Sequence, residues 1–152
     1  MIFNFISSGL TFNRRYEIDM ETKIGVGFFS DVYRATWHHR TVAVKVLAST
    51  TPFKLFMHEM SVWKTLQHEH VLPLLGASAA SGDPPWFFVS PYMRNGSLVA
   101  YLRTHQVHRD PVPPVELREM VYEIARGMEY LHKQGVMHGD LKVRHISLEI
   151  QF

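Results

Sequence analysis

A glycine-rich segment, Gly25-Val26-Gly27-Phe28-Phe29-Ser30, lies between two runs that have the character of β-strands. The run before it ends at Ile24, and the run after it, residues 31–37, partly alternates apolar and polar side chains. A dinucleotide-binding turn would open a helix at this point, so the strand that follows argues against such a site. Glycines in a hairpin instead bring bare backbone N–H groups close to phosphate oxygens, because no Cβ blocks the approach. Taken alone, the segment is equally consistent with a plain hairpin turn.

The chain continues in the order strands, one helix, strands and then helices. After a His38-His39-Arg40 turn comes a third strand, and a helix is predicted from Thr51-Pro52 to about Leu66, with Thr51 as N-cap and Pro52 at the first helical position. The other predicted elements are strands at 71–75 and 86–89, a short helix at about 97–103, and a long helix from the proline-rich residues 110–114 to Gly135. This order indicates an α+β fold.

The composition excludes several functional classes. Of 152 residues, 46% are apolar and 20% are charged, which is ordinary for a globular domain. There is no Cys for disulfides or thiolate zinc sites, and the 10 His lack the H-x-x-x-H or H-E-x-x-H spacing of a metal site. The 16 Lys and Arg are interspersed with 14 Asp and Glu, so no nucleic-acid partner is expected. With no apolar run near the ~20 residues of a membrane span and no secretory signal, we expect an intracellular, cytoplasmic chain without membrane contact.

Lys45 lies in the third strand, on the face that a period of two also gives to Ala43 and Leu47. Alone, it fits either a solvated edge or a position that faces an anion. Glu59 favours the second interpretation, because helical spacing places it in an apolar stripe formed by Leu55, Phe56, Val62, Trp63 and Leu66. An ionised carboxylate on such a stripe needs a cation, and Lys45 is the natural candidate. An exposed helix face with Glu59 in water remains the alternative.

The segment His138-Gly139-Asp140-Leu141-Lys142 follows the long helix. Asp140 and Lys142 are two residues apart in a predicted loop, which suits a proton acceptor and a phosphate contact. A turn aspartate and a surface lysine are the alternative reading of the same residues.

In this order the motifs resemble those of a protein kinase domain. The motifs are Gly25-x-Gly27-x-x-Ser30-x-Val32, Val42-Ala43-Val44-Lys45, Glu59 and His138-Gly139-Asp140-Leu141-Lys142. Segments 63–66, 71–76 and 127–132 are similar to the tyrosine-kinase-like group, especially of fungal type. The resemblance implies an α+β kinase fold, with an N-terminal lead at 1–17, an N-terminal lobe at 18–92 and a partial C-terminal lobe at 93–152 that stops before D-F-G.

The resemblance also implies an ATP site. Lys45 would hold the α- and β-phosphates and pair with Glu59, while Gly25 and Gly27 would cover the phosphates. The matching adenine and ribose positions are Ile24, Val32 and Ala43 around the ring, Ser90 as gatekeeper, the Pro91 carbonyl and Met93 N–H at the hinge, and Ser97 at the ribose.

Two further positions match catalytic residues of the family. Asp140 would orient and deprotonate the substrate hydroxyl, and Lys142 would neutralise charge on the moving phosphoryl group. A lysine two residues after that aspartate is the Ser/Thr-type pattern, so phosphoryl transfer from ATP to protein Ser or Thr is expected, with Mg²⁺ in the full-length parent. The sequence does not indicate which protein is the substrate.

The chain departs from the family pattern at several positions. Ser30 replaces the third glycine, and Gly139 replaces the arginine that would contact a phosphorylated activation loop. His145 stands where the family has a magnesium-binding Asn, and Ser147 where it has an apolar residue under the adenine. The chain also reaches Phe152 without a D-F-G. We therefore expect it to bind nucleotide weakly at best and to transfer no phosphate. The alternative is a non-catalytic kinase-like binding or regulatory module.

The last ten residues carry a separate hypothesis. Val143-Arg144 fits a 5′ splice-donor consensus when encoded GTACGT or GTGCGT. We hypothesise that residues 143–152 are translated intron; a genuine fragment or a degenerate pseudokinase is the alternative.

The long helix is expected to be partly uncovered. Its apolar stripe consists of Leu117, Met120, Val121, Ile124, Met128 and Leu131. In the family this helix packs against later helices of the C-terminal lobe, so marginal stability or aggregation is expected for the chain alone.

Overall fold

The computed structural model describes residues 2–4, 11–13, 18–79, 86–108 and 110–147. The chain forms two units, the first comprising Met1–Gln67 with Leu72–Tyr92 and the second His68–Val71 with Met93–Phe152. The first unit holds the strands and one helix, and the second holds the other helices. The predicted α+β class is therefore confirmed.

The described part of the first unit contains one antiparallel sheet of seven strands. In chain order these are β1 (Ile2–Asn4), β2 (Thr11–Asn13), β3 (Ile18–Val26), β4 (Ser30–Trp37), β5 (Arg40–Leu47), β6 (Gly76–Ser78) and β7 (Phe87–Pro91). The order across the sheet is β2-β1-β6-β7-β5-β4-β3. The predicted lead at 1–17 thus contributes two short strands where it is described.

Alternation along β5 divides the core of the first unit into two clusters. Val42 and Val44 are buried on one face with Ala35, Trp37, Phe87 and Val89. Leu47 is buried on the other face with Phe56, Met60, Leu74, Ala77 and Phe88. Helix α1 (Phe53–Trp63) covers this second face with Phe56 and Met60. Burial of each such side chain stabilises the fold by roughly 1.5–3 kcal/mol, so this face holds the helix in place.

The β4–β5 hairpin closes through His38 and His39, which confirms the predicted turn. Their φ angles are 48° and 61°, both in the left-handed region. Two-residue hairpin loops favour positive φ at both positions because their twist then matches that of the strands. Histidine enters this region with more strain than glycine, so the turn geometry is imposed by the strands on either side.

Two predicted boundaries in the first unit are wrong. Thr51 does not cap α1; Pro52 occupies the N-cap position without a side-chain cap, and the helix ends at Trp63, three residues before Leu66. The predicted strand at 71–75 is absent from the described residues, where Val71 forms only an isolated bridge and the strand is β6. Pro73 explains this shift, because proline has no N–H for the ladder. The strand predicted at 86–89 is confirmed as β7, with a boundary shift.

Helices dominate the described part of the second unit. They are α2 (Leu98–His108), α3 (Pro114–Lys133) and a short 3-10 helix at Val143–His145. α2 runs five residues past the predicted end at Arg103. Leu98 and Met120 form the buried core, packed by Tyr101, Leu102, Ile124 and Ile146.

The apolar stripe of α3 is partly uncovered, as predicted. Met120 and Leu131 are buried, whereas Leu117 is 38% exposed and Val121 65% exposed. None of the helices in the described ranges has the length and apolar character that a membrane span needs.

Candidate functional site

The glycine-rich segment forms the hairpin between β3 and β4, which confirms the strand predicted after it. The Gly27 N–H donates to the Ser30 carbonyl at 2.8 Å, and the Ala48 N–H donates to the Phe29 carbonyl at 2.9 Å. A Cβ at Gly27 would lie 2.9 Å from the Ser30 oxygen, and one at Gly25 would lie 3.3 Å from Val32 Cβ. The close approach requires glycine at position 27 and leaves little room for a side chain at Gly25, and neither residue has a positive φ.

Two aromatic rings extend from the tip of this hairpin. Phe28 is 91% exposed and Phe29 is 70% exposed. Their rings contact each other edge to face, with centroids 4.8 Å apart.

Strand register aligns the hairpin with Lys45. Gly25 pairs with Val32, Val32 with Lys45, and Lys45 with Phe88, in one row across β3, β4, β5 and β7. Directly paired residues of antiparallel strands project to the same face of the sheet. Phe88 lies in the core cluster under α1, so Lys45 emerges on the α1 side of the sheet.

Lys45 and Glu59 form the predicted ion pair. The Lys45 Nζ donates to Glu59 Oε1 at 2.6 Å and lies 5.6 Å from the centre of the Phe88 ring. Their side chains are 35% and 41% exposed, so the carboxylate is half-buried and not enclosed by the apolar stripe as expected. Leu55, assigned to that stripe, is also exposed. At this exposure the pair contributes about 1 kcal/mol or less to stability. Its main consequence is therefore to fix the position of the ammonium group.

The residues predicted around the adenine, Ile24, Val32 and Ala43, lie on β3, β4 and β5. Val32 and Ala43 are half-buried, and Ile24 is exposed beside a register shift in β3. Ala43 is paired with Ser90, the buried predicted gatekeeper, and Val42 is paired with Pro91 at the end of β7.

Met93 and Ser97 belong to the second unit. The Met93 carbonyl accepts the Gly96 N–H at 3.1 Å in a turn where Gly96 has φ of 66°. The Ser97 hydroxyl oxygen accepts the Ala100 N–H at 3.3 Å and thereby caps the start of α2.

Asp140 and Lys142 lie together after α3. Lys142 Nζ donates to both carboxylate oxygens of Asp140, at 2.6 and 2.8 Å. His145 Nδ1 lies 2.9 Å from the Asp140 carbonyl, and the Asp140 N–H donates to His138 Nδ1 at 3.4 Å. Gly139 has φ of 72°, so this turn favours the residue found there over the family's arginine.

Comparison with known proteins decides the family. The family described as protein tyrosine and serine/threonine kinase matches residues 18–151. The chain belongs to this kinase family. Its relatives include tyrosine-protein kinase abl-1 of Caenorhabditis elegans, which is 36% identical over 133 residues, 86% of this chain and 10% of that protein.

Other relatives carry a further domain or a different specificity in their names. U-box domain-containing protein 51 of Arabidopsis thaliana is 38% identical over 139 residues, 85% of this chain and 17% of that protein. Dual specificity protein kinase splA of Dictyostelium discoideum is 32% identical over 140 residues, 88% of this chain and 6% of that protein. The chain thus spans less than a fifth of the length of these relatives.

The kinase match bears on the hypothesis of a translated intron. It continues to residue 151, through most of the segment 143–152. Ile146 within this segment packs against the core of the second unit, and its carbonyl accepts the Leu98 N–H at 2.9 Å. Both findings count against the hypothesis; residues 148–152 lie outside the described residues.

Kinase membership implies ATP and a divalent metal. The described residues suit the phosphates of ATP but not the metal. In the first unit, the ammonium of Lys45 fits nucleotide phosphates, whereas the Gly27 N–H expected to approach them already donates to the Ser30 carbonyl.

The described residues do not fit Mg²⁺. This ion prefers oxygen ligands in a near-ideal octahedron. The Asp140 carboxylate is paired with Lys142, and His145 offers an imidazole whose Nδ1 is taken up by the Asp140 carbonyl. Over the described ranges, no group of three or more His, Asp or Glu side chains is placed to hold a metal ion.

The sequence predicted the Lys45–Glu59 ion pair and singled out Asp140 and Lys142, but it did not predict the contact between these two residues or the histidine contacts to Asp140. At position 145 the sequence indicates only the loss of a metal ligand. Its contact joins a ring and a carbonyl five residues apart across a 3-10 turn, and no periodic pattern signals such a contact.

Proposed function

We propose that this chain carries the ATP-binding elements and the catalytic loop of a protein kinase that phosphorylates protein Ser or Thr. The observation that carries the proposal is the 2.6 Å contact between Lys45 Nζ and Glu59 Oε1, on the sheet face reached by the glycine hairpin. ATP supplies the phosphoryl group, and the chain positions it and stabilises part of its charge.

Nucleotide binding is assigned to three groups of residues. Lys45, held by Glu59, contacts the α- and β-phosphate oxygens, and the backbone at Gly25 and Gly27 covers them. The adenine and ribose positions are Ile24, Val32 and Ala43 around the ring, the Pro91 carbonyl and Met93 N–H at its edge, and Ser97 at the ribose. Ser97 caps α2 through its oxygen and still has a hydroxyl hydrogen to donate.

Asp140 is assigned the role of proton acceptor from the substrate hydroxyl. Its carboxylate is ionised beside the Lys142 ammonium and therefore has lone pairs to accept a proton. Lys142 would exchange part of this contact for the transferred phosphoryl group, whose negative charge it neutralises. Lysine at this position supports Ser or Thr as the acceptor.

A nucleotide-binding experiment tests the assignment of Lys45. Lys45→Met in the 152-residue chain removes the phosphate contact and should weaken ATP binding at least tenfold in a fluorescence or calorimetric titration. Lys133→Met is the matched control, because Lys133 Nζ also lies 2.6 Å from a carboxylate, that of Glu129, but on α3. Equal ATP affinity for Lys45→Met and Lys133→Met would refute the assignment.

The 152-residue chain on its own is proposed to transfer no phosphate. The described residues do not fit Mg²⁺, and phosphoryl transfer depends on metal-borne charge. A phosphorylation signal from the purified chain that disappears in Lys45→Met would contradict this proposal.

A second function, a non-catalytic binding or regulatory module, is favoured by His145. Its ring contacts the Asp140 carbonyl where the family pattern has a metal-binding Asn. Sequencing the mature transcript beyond the codon for Lys142 distinguishes the two functions. A message with D-F-G downstream supports the kinase, whereas one that ends after Phe152 supports the binding module. For a longer kinase, phosphoamino-acid analysis of a phosphorylated protein mixture tests the Ser/Thr assignment, and phosphotyrosine alone would contradict it.

A further inference from the structure

Two histidines hold Asp140 by its backbone. Its N–H donates to Nδ1 of His138 at 3.4 Å, and its carbonyl oxygen lies 2.9 Å from Nδ1 of His145. Gly139, between the two residues, has a positive φ, and this turn lets the His138 ring contact the backbone N–H of Asp140. Both rings therefore use the same nitrogen, one at each end of the Asp140 backbone.

These contacts require opposite protonation of the two Nδ1 atoms. A backbone N–H only donates, so His138 Nδ1 carries a lone pair and the ring proton lies on Nε2. A carbonyl only accepts, so His145 Nδ1 carries a proton. One aspartate thus selects a different tautomer in each neighbouring ring.

His145 is itself firmly anchored within the second unit. Its backbone N–H donates to the Lys142 carbonyl at 2.8 Å in the 3-10 turn. The next residue, Ile146, packs against Leu98 and Met120 and accepts the Leu98 N–H at 2.9 Å. The backbone at His145 is therefore held in place by packing against α2 and α3, and the His145 ring in turn contacts the Asp140 carbonyl.

We propose that His145 is a positioning residue whose Nδ1–H tautomer holds the Asp140 carbonyl and so orients the Asp140 carboxylate beside Lys142. This role rests on the proposed function of Asp140 as proton acceptor. It assigns to His145 a contribution through hydrogen bonding, where the family pattern alone indicates only the loss of a metal ligand. His138 contacts the other backbone group of Asp140, its N–H.

The tautomers are measured directly by long-range ¹H–¹⁵N correlation spectra of the unmodified chain labelled with ¹⁵N-histidine. We expect a protonated Nδ1 in His145 and a protonated Nε2 in His138. Free histidine in water favours the Nε2–H form, so His145 provides the diagnostic signal. A neutral His145 ring protonated on Nε2 overturns the proposal.

Two variants test whether the contact positions Asp140. His145→Leu removes the donor, and His145→Asn keeps an N–H donor on a shorter side chain; His132→Leu, at an exposed position of α3, is the matched control. We expect the ¹³C shifts of the Asp140 carbonyl and carboxyl to move in His145→Leu, to return toward wild type in His145→Asn, and to stay unchanged in the control.

Unchanged Asp140 shifts in His145→Leu, or a change that His145→Asn does not reverse, also overturn the proposal. The tautomer measurement needs no variant, so it decides the question even if His145→Leu fails to fold. It also needs no nucleotide. Failure of ATP binding at Lys45 therefore counts against the proposed function alone.

Discussion

At the scale of single residues, Gly139 has a backbone conformation that the family's usual arginine would enter only with strain. Its φ is 72°, and a Cβ added there meets no heavy atom within 4 Å. The conformation, and not crowding, therefore selects glycine. We expect Gly139→Ala to lower the free energy of unfolding by about 1–2 kcal/mol, the cost of a left-handed L-residue.

Chemical denaturation followed by circular dichroism measures this effect. Gly139→Asn is the control, because asparagine tolerates the left-handed region better than alanine. If alanine and asparagine are equally tolerated at no loss of stability, the turn at Gly139 is not as described.

The contact between Lys45 and Glu59 was predictable because several motifs occur in a fixed order. Lys45 and Glu59 were paired from strand and helix periodicity, and the structure confirms the contact. The degree of burial was not predictable, because it depends on what covers the pair. Leu55 has the right helical spacing but faces solvent.

At the scale of secondary-structure elements, Gly127 of α3 leaves the space that the backbone of His70 occupies. A Cβ at Gly127 would lie 2.6 Å from the His70 carbonyl oxygen, in the segment that precedes Val71. Because backbone atoms do not yield as a flexible side chain does, we expect Gly127→Ala to destabilise the chain by about 1–3 kcal/mol. Denaturant unfolding measures this. Arg126→Ala, which removes a 4.0 Å surface contact with Glu69, should change stability by less than about 0.5 kcal/mol.

A hydrogen bond joins α2 to α3. The Tyr101 hydroxyl donates to Glu116 Oε1 at 2.5 Å, and this bond, with burial, raises the pKa of Tyr101 from 10.0 to about 12. The folded state thus favours the protonated phenol. Its stabilisation is complete below pH 10 and is lost as the pH rises toward 12.

Unfolding midpoints measured between pH 9 and pH 12 test this link. The midpoint of the wild-type chain should fall over that interval, and Tyr101→Phe should remove part of the fall. Tyr122→Phe, at an exposed position of α3, is the control and should leave it unchanged. An identical pH profile for wild type and Tyr101→Phe would contradict the assignment.

Element boundaries show where sequence reasoning fails. The strand predicted at 71–75 is replaced by β6, because Pro73 interrupts hydrogen bonding and the sheet provides partners for residues 76–78. α2 continues to His108, five residues past the predicted end. The position of β6 depends on neighbours distant in sequence, which local patterns do not contain.

At the scale of the whole molecule, exposed apolar side chains should dominate solution behaviour. Val121 on α3 and Met137 after it are among the large hydrophobic residues that face solvent. We expect the 152-residue chain to self-associate at micromolar concentration, and Val121→Ser with Met137→Ser to reduce that association without lowering the unfolding midpoint. Light scattering and size-exclusion chromatography measure this. A sharp, reversible, monomeric melt of the unmodified chain would contradict the expectation.

The register of β5 has a consequence for how the chain reaches its fold. If β5 paired with its neighbours one residue out of step, every side chain would change faces. The ammonium of Lys45 would then enter the apolar cluster that holds Val42 and Val44, far from Glu59. Burying an unpaired charge there is prohibitive, whereas a valine in the same place would tolerate the error. The charge of the lysine assigned to the phosphates thus also disfavours misregistered pairing of β5, so the ATP titration of Lys45→Met requires a circular dichroism spectrum that matches that of the unmodified chain.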